Sequence, residues 1–139
     1  MLIGEYEHSL DPKGRVIFPV KLRESLGEEF VVTKGLQNCL FVYGKEEWEV
    51  LTQKINALPM SKAGNLQRFL FSSAALVGTD KQGRILIPAN LREYAGLEKD
   101  IVIIGASIRA EIWNKERWQE ACSQLTSDMI GQAMDELGF

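Results

Sequence analysis

One seventeen-residue stretch occurs twice in this chain. Residues 11–27, DPKGRVIFPVKLRESLG, return as residues 80–96, DKQGRILIPANLREYAG. The copies share Asp11/Asp80, Gly14/Gly83, Arg15/Arg84, Pro19/Pro88, Leu22/Leu91, Arg23/Arg92, Glu24/Glu93 and Gly27/Gly96, eight identities in seventeen positions, where unrelated sequence gives roughly one. The likeness continues with one extra residue in the second copy. FVVTKG (30–35) matches DIVIIG (100–105), and CLFVYGKEEW (39–48) matches RAEIWNKERW (109–118), which aligns Trp48 with Trp118. Any fold for this chain must therefore be built from two copies of one unit.

Each unit reads as turn, strand and short helix. Asp followed three residues later by Gly marks a type I β-turn, with Asp11 and Gly14, or Asp80 and Gly83, as turn-formers, and Pro12 stands where such a turn favours proline. Arg15 or Arg84 leaves the turn into a short apolar run that predicts a strand. Pro19 and Pro88 stop that strand and suit the first position of a helix. Leu22 and Leu26, or Leu91 and Ala95, then share one helical face, and Gly27 and Gly96 cap the helix.

Around these units the alternation of residues 3–9 predicts a strand, as do Phe30–Thr33, Leu40–Tyr43, Ile101–Ile104 and Ala110–Trp113. Lys45–Leu58 predicts a helix whose Trp48, Leu51, Ile55 and Leu58 form one apolar face, ended by Pro59. Helices are also expected over Ser61–Ser72, Lys115–Leu125 and Ser127–Leu137. The last carries Met129, Ile130, Ala133, Met134 and Leu137 on one stripe, which serves either to pack on the body or to meet another subunit. The fold class is α+β: residues 1–58 form the first repeat with its helix, 59–72 a linking helix, and 73–139 the second repeat with the C-terminal helices. Halves this small bury little surface alone, so the copies are expected to share a core.

The charge is unevenly placed. The chain carries net −3, yet residues 11–24 hold four cations against two carboxylates, and 80–93 hold three against two. From Glu111 onward two cations stand among six carboxylates. Basic islands on an acidic chain set one face against phosphates and hold the rest away. Cys39 and Cys122 lie in apolar contexts without a close pairing and read as reduced core thiols of an intracellular protein. MLIGEYEHSL lacks the pattern of a signal peptide, and no apolar run approaches membrane-spanning length.

Little here suggests catalysis. His8 is the only histidine, so there is no His pair for zinc and no His-based relay, and no phosphate-cradling GxxxxGK[ST] or GxGxxG occurs. No catalytic residue, metal site or cofactor is expected. Binding has firmer support. An arginine held just after a tight turn, with a second on the following helix, suits DNA phosphates and guanine edges. Arg15 and Arg84, then Arg23 and Arg92, are the candidate DNA contacts, while Lys13, Lys21 and Lys81 supply diffuse attraction. The alternative is that Arg15 pairs only with Asp11, and Arg84 only with Asp80, across the turn.

With DPKGR and DKQGR each running into an apolar strand, Pro and LRE, preceded by GEYEH and followed by EIW, nearly the whole chain resembles the MraZ family of two tandem SpoVT–AbrB-type domains. The resemblance implies a swapped-hairpin, barrel-like core drawn from both halves, flanking helices and assembly of several chains into a ring. It implies a bacterial transcriptional regulator, cytoplasmic and nucleoid-associated. Its partner would be double-stranded DNA, at repeated elements upstream of the division and cell-wall genes. Carried over by position, Arg15 and Arg84 face DNA, with Lys13, Lys81, Arg23 and Arg92 nearby. Two alternatives are a ring-forming protein-interaction module and a non-specific nucleoid protein.

Overall fold

A computed structural model describes residues 1–139. Its strands are β1 (Glu5–Ser9), β2 (Arg15–Ile17), β3 (Glu29–Lys34), β4 (Leu40–Gly44), β5 (Ala75–Gly78), β6 (Arg84–Leu86), β7 (Asp100–Gly105) and β8 (Ala110–Asn114). Its helices are α1 (Val20–Leu26), α2 (Lys45–Asn56), α3 (Met60–Leu66), α4 (Ala89–Tyr94), α5 (Lys115–Ser123) and α6 (Ser127–Glu136). All pairings are antiparallel, in a six-stranded sheet ordered β1-β7-β8-β4-β3-β5 and a separate ladder of β2 with β6. In that order β1 and β5 are the outer strands, and the small ladder contacts both, β2 against β1 and β6 against β5.

The two copies are interleaved. β1 of the first copy pairs with β7 of the second, and β5 of the second pairs with β3 of the first. Equivalent strands also pair with each other: Val16 lies opposite Ile85 in the small ladder, and Phe41 opposite Glu111 between β4 and β8. Those pairs are counterparts in the repeat, so an approximate twofold axis runs through both. The main core follows from this exchange. Its nineteen buried residues include nine from the first copy and ten from the second, among them Phe18 against Phe30 with ring centroids 4.8 Å apart. The expectation of a shared core holds, because neither copy could bury these faces alone. Losing one such side chain, as in Leu91→Ala, would cost about 2–5 kcal/mol.

The central strands are apolar on both faces, as befits a sheet covered on two sides. Phe30, Val32, Leu40 and Val42 face the main core. Cys39, Phe41, Tyr43 and Trp113 face the opposite side, where Trp48 of α2 and Trp118 of α5 cover them. The repeat is visible there too: Tyr43–Trp48 and its counterpart Trp113–Trp118 pack with centroids 5.8 and 5.4 Å apart.

Some expectations shift. Gly4, at φ +106°, breaks the first strand, which starts at Glu5 rather than Ile3. Pro19 and Pro88 are N-caps, one residue before the helix, with carbonyls that accept its first hydrogen bonds. The helix expected over 61–72 is α3 followed by a wide π-turn at Gln67–Phe71. There the Ser72 and Ser73 hydroxyls donate back to the Arg68 and Phe69 carbonyls and compete with the regular ladder. The α6 stripe does not pack on the body. Met129, Ile130, Met134 and Leu137 are all exposed. Cys39 is buried, and burial pushes its thiol up to about 12, whereas Cys122 is only half-buried.

Candidate nucleic-acid interface

The small ladder carries the candidate surface, and each turn beside it is built alike. The Asp11 carbonyl accepts the Gly14 N–H at 2.9 Å, and the Asp80 carbonyl accepts the Gly83 N–H at 3.0 Å. Gly14 and Gly83 sit at φ +85° and +78°, conformations that a Cβ would strain. The aspartate side chains then lock the turns. Asp11 Oδ1 accepts the backbone N–H groups of Lys13 and Arg15 at 2.9 and 2.8 Å. Asp80 Oδ1 accepts those of Gln82 and Arg84, each at 2.9 Å. The amide of the motif arginine is the main reason each carboxyl is held below its ordinary range.

Each motif arginine does pair with its aspartate, but only through one nitrogen. Arg15 Nε donates to Asp11 Oδ2 at 2.7 Å, and Arg84 Nε to Asp80 Oδ2 at 2.9 Å. Neither Nη group has a partner in the protein. The aspartate thus steadies the side chain and leaves the two-pronged end open, the geometry that guanine O6/N7 or a phosphate accepts in bidentate fashion. The two readings of this pair are compatible.

The helix arginines behave differently from the sequence expectation of one unit acting by itself. Arg23 Nε donates to the Phe18 carbonyl at 3.2 Å, and Arg92 Nε to the Ile87 carbonyl at 2.9 Å. Their guanidinium groups then reach the other copy's turn. A Cβ built on Gly14 would stand 2.6 Å from Arg92 Cζ, and one on Gly83 would stand 3.2 Å from Arg23 Nη2. Arg92 therefore lies on the first turn with Arg15, and Arg23 on the second with Arg84. Each cluster takes one arginine from each copy, a crossing that no spacing in the sequence announces. Lys13, Lys21 and Lys81 are exposed.

Antiparallel register fixes the face between them. Arg15 is opposite Leu86, and Ile17 opposite Arg84. Val16 and Ile85, between them, point into the core, so Arg15, Ile17, Arg84 and Leu86 share the outward face. Ile17 and Leu86 were absent from the sequence expectations. The signal that could have found them is the strand alternation itself, which places them outward with the arginines. Elsewhere, Glu24, Glu28, Glu29, Glu46 and Glu47 line a shallow acidic cleft. No group of three or more histidine, cysteine and carboxylate side chains comes together as a metal site would need.

Comparison with known proteins fits this duplicated architecture. The family described as "MraZ protein, putative antitoxin-like" matches twice, over residues 1–66 and 70–136. The chain belongs to the MraZ family. It is 61% identical over 122 residues, 86% of this chain and 85% of the other, to a transcriptional regulator MraZ of Heliobacterium modesticaldum. Proteins of the same name in Clostridium beijerinckii and Acetivibrio thermocellus are each 53% identical, over the full length of both chains. With family and fold both built on the repeat, the two arginine clusters are the same site occurring twice in one MraZ-family chain.

Proposed function

We propose that this chain is a sequence-specific DNA-binding transcriptional regulator. In this reading it recognises repeated elements upstream of bacterial division and cell-wall genes as a ring of identical chains, in the cytoplasm and at the nucleoid. The observation that carries the proposal is the pair of arginine clusters on one ladder, each with an unspent guanidinium fork braced by aspartate. Several relatives bear the name of transcriptional regulator, which supports the same conclusion. The mechanism is occupancy of a promoter without chemistry. Arg15 and Arg84 read or clamp, Arg23 and Arg92 add charge at the opposite turns, and Lys13, Lys21 and Lys81 attract phosphates diffusely. The acidic cleft turns the rest of the surface away from DNA. One chain offers a modest basic face, and a ring sets several at fixed spacing, so tandem elements bind at high effective concentration. The exposed stripe of α6 is the surface that best suits contact between chains, and it also favours the second reading, a ring-forming protein-interaction module.

Band-shift titration on the chain's own upstream DNA and on random DNA, at two salt concentrations, tests the proposal. Binding that is tighter on upstream DNA, falls steeply with salt and is lost in the Arg15→Ala/Arg84→Ala variant is the expected result. Equal affinity for both DNAs would mean a nucleoid-coating protein, and no affinity for either would leave the protein-interaction reading.

A further inference from the structure

The outward face of the small ladder is not uniformly basic. Ile17 is 51% exposed and Leu86 56%, while Val16 and Ile85 between them are at 1% and 0%. In a ladder with one face in water, the outward positions ordinarily go to polar residues; here both copies place a large aliphatic there. Register arranges the four outward side chains as a quadrilateral, with Arg15 and Arg84 on one diagonal and Ile17 and Leu86 on the other, diagonal neighbours being about 7–8 Å apart. A single exposed aliphatic needs no explanation. Two of them, related by the repeat and boxed between two arginines with open forks, form an apolar centre inside a cationic frame. Such a frame selects an anionic partner, whereas an apolar protein partner would have to bury both forks unpaired.

Resting on the DNA-binding reading above, we propose that Ile17 and Leu86 read thymine C5-methyl groups in the major groove, making them specificity-determining residues beside the arginines. A two-stranded antiparallel ribbon fits a groove about 12 Å wide, and the thymine methyl is the one apolar group displayed on base edges there. The arginine forks would take guanine edges or phosphates, and the aliphatics the methyls between them. The twofold repeat of the ladder then makes the element approximately symmetric in its methyl positions. An alternative occupation of the same side chains, as spacers that only hold the arginine stems apart, makes a different prediction about DNA lacking the methyl.

The test uses the full-length protein and its upstream duplex, with every thymine replaced by deoxyuridine in a second duplex and with random DNA as reference. Contact with the methyls predicts a loss of about fourfold per methyl read. The Ile17→Gln/Leu86→Gln variant should then bind the thymine and uracil duplexes equally, while its salt slope stays that of the wild type. Equal binding of the two duplexes by the wild type, with its preference over random DNA intact, would overturn the inference and leave the regulator reading standing. A glutamine variant that still prefers thymine would also overturn it, since the methyl would be read elsewhere. A wild type with no preference for upstream DNA would sink both readings together. Should the variant fail to fold, the wild-type comparison still decides.

Discussion

The two ends of the approximate twofold axis hold the same chemical group in opposite states. Where Phe41 meets Glu111, Arg109 is spent. Its Nε and Nη2 both donate to Glu111 Oε2, at 3.1 and 2.9 Å, while its guanidinium carbon lies 4.1 Å from the Phe41 ring centroid. Glu111 is buried, and its other oxygen accepts the Trp113 indole N–H at 2.9 Å. Where Val16 meets Ile85, Arg15 and Arg84 spend one nitrogen each and keep the fork. Arg109 is a strut, whereas Arg15 and Arg84 keep donors free, and what separates them is how much donor capacity the protein consumes. Counting arginines near an axis would not have told them apart.

Two substitutions should break this contrast from opposite sides. The largest expected effect is on DNA. Removing both forks in Arg15→Ala/Arg84→Ala should cost about 1–3 kcal/mol per arginine if each meets a guanine, roughly thirtyfold or more in affinity for upstream DNA. Melting should hardly move, because ion pairs open to solvent add little to stability. A collapsed transition in that variant would make the motif arginines struts after all. Glu111→Ala should do the reverse. It strands the Trp113 N–H and leaves Arg109 uncompensated, for a loss of about 2–3 kcal/mol after discounting for the partial exposure of Arg109. A thermal melt should fall by roughly 10 °C while DNA affinity in the folded protein stays put.

Next in size come the turn glycines, where the crossing of the copies can be measured. Gly14→Ala forces a Cβ at positive φ, for about 1–2 kcal/mol, and drives Arg92 off the first turn. Gly83→Ala imposes similar strain but meets Arg23 less closely, at 3.2 Å rather than 2.6 Å. Both variants should melt earlier by similar amounts, with Gly14→Ala losing more DNA affinity, on the order of several-fold. Equal losses of affinity would mean that Arg92 and Arg23 do not reach the DNA from the opposite turns.

How far these features could be read beforehand depends on whether they are local. The turns were legible, since Asp11-x-x-Gly14 and Asp80-x-x-Gly83 dictate their own hydrogen bonds. The equivalence of Trp48 and Trp118 followed from the aligned repeats, but not the strand aromatics that they pack on. Strand exchange was not readable from the residues themselves, because alternation specifies a face, not which copy supplies the neighbour. The swapped core came from the family resemblance instead. The Arg92–Gly14 approach depends on that exchange and was hidden with it. Spacing also could not sort the ion pairs, because Asp11 with Arg15 and Arg109 with Glu111 are equally plausible neighbours in sequence. Burial by Phe41 and the tryptophans decides which one closes. The α6 stripe was legible as amphipathic, but periodicity carries no information about what covers it.

The smallest predicted effect concerns acid, and it probes the brace rather than the fork. Amide hydrogen bonds hold the Asp11 and Asp80 carboxyls below their ordinary range near 3.8 in the folded chain. A depressed folded value means that the unfolded chain binds more protons in the window between the two values. The contribution of the brace is therefore complete above the unfolded value and is lost only as pH falls below it towards the folded one. Between pH 8 and pH 5 both aspartates stay ionised, and the forks stay aimed. DNA affinity at constant ionic strength should be flat across that range, with any change traced to His8, whose pKa burial lowers and which lies on β1, across the sheet edge from Ile101. In His8→Gln even that residual slope should vanish. A drop in affinity near pH 5 that survives in His8→Gln would show that the brace opens earlier than its hydrogen bonds allow. Asp11 and Asp80 would then be weaker supports for the open arginines than Glu111 is for the closed one.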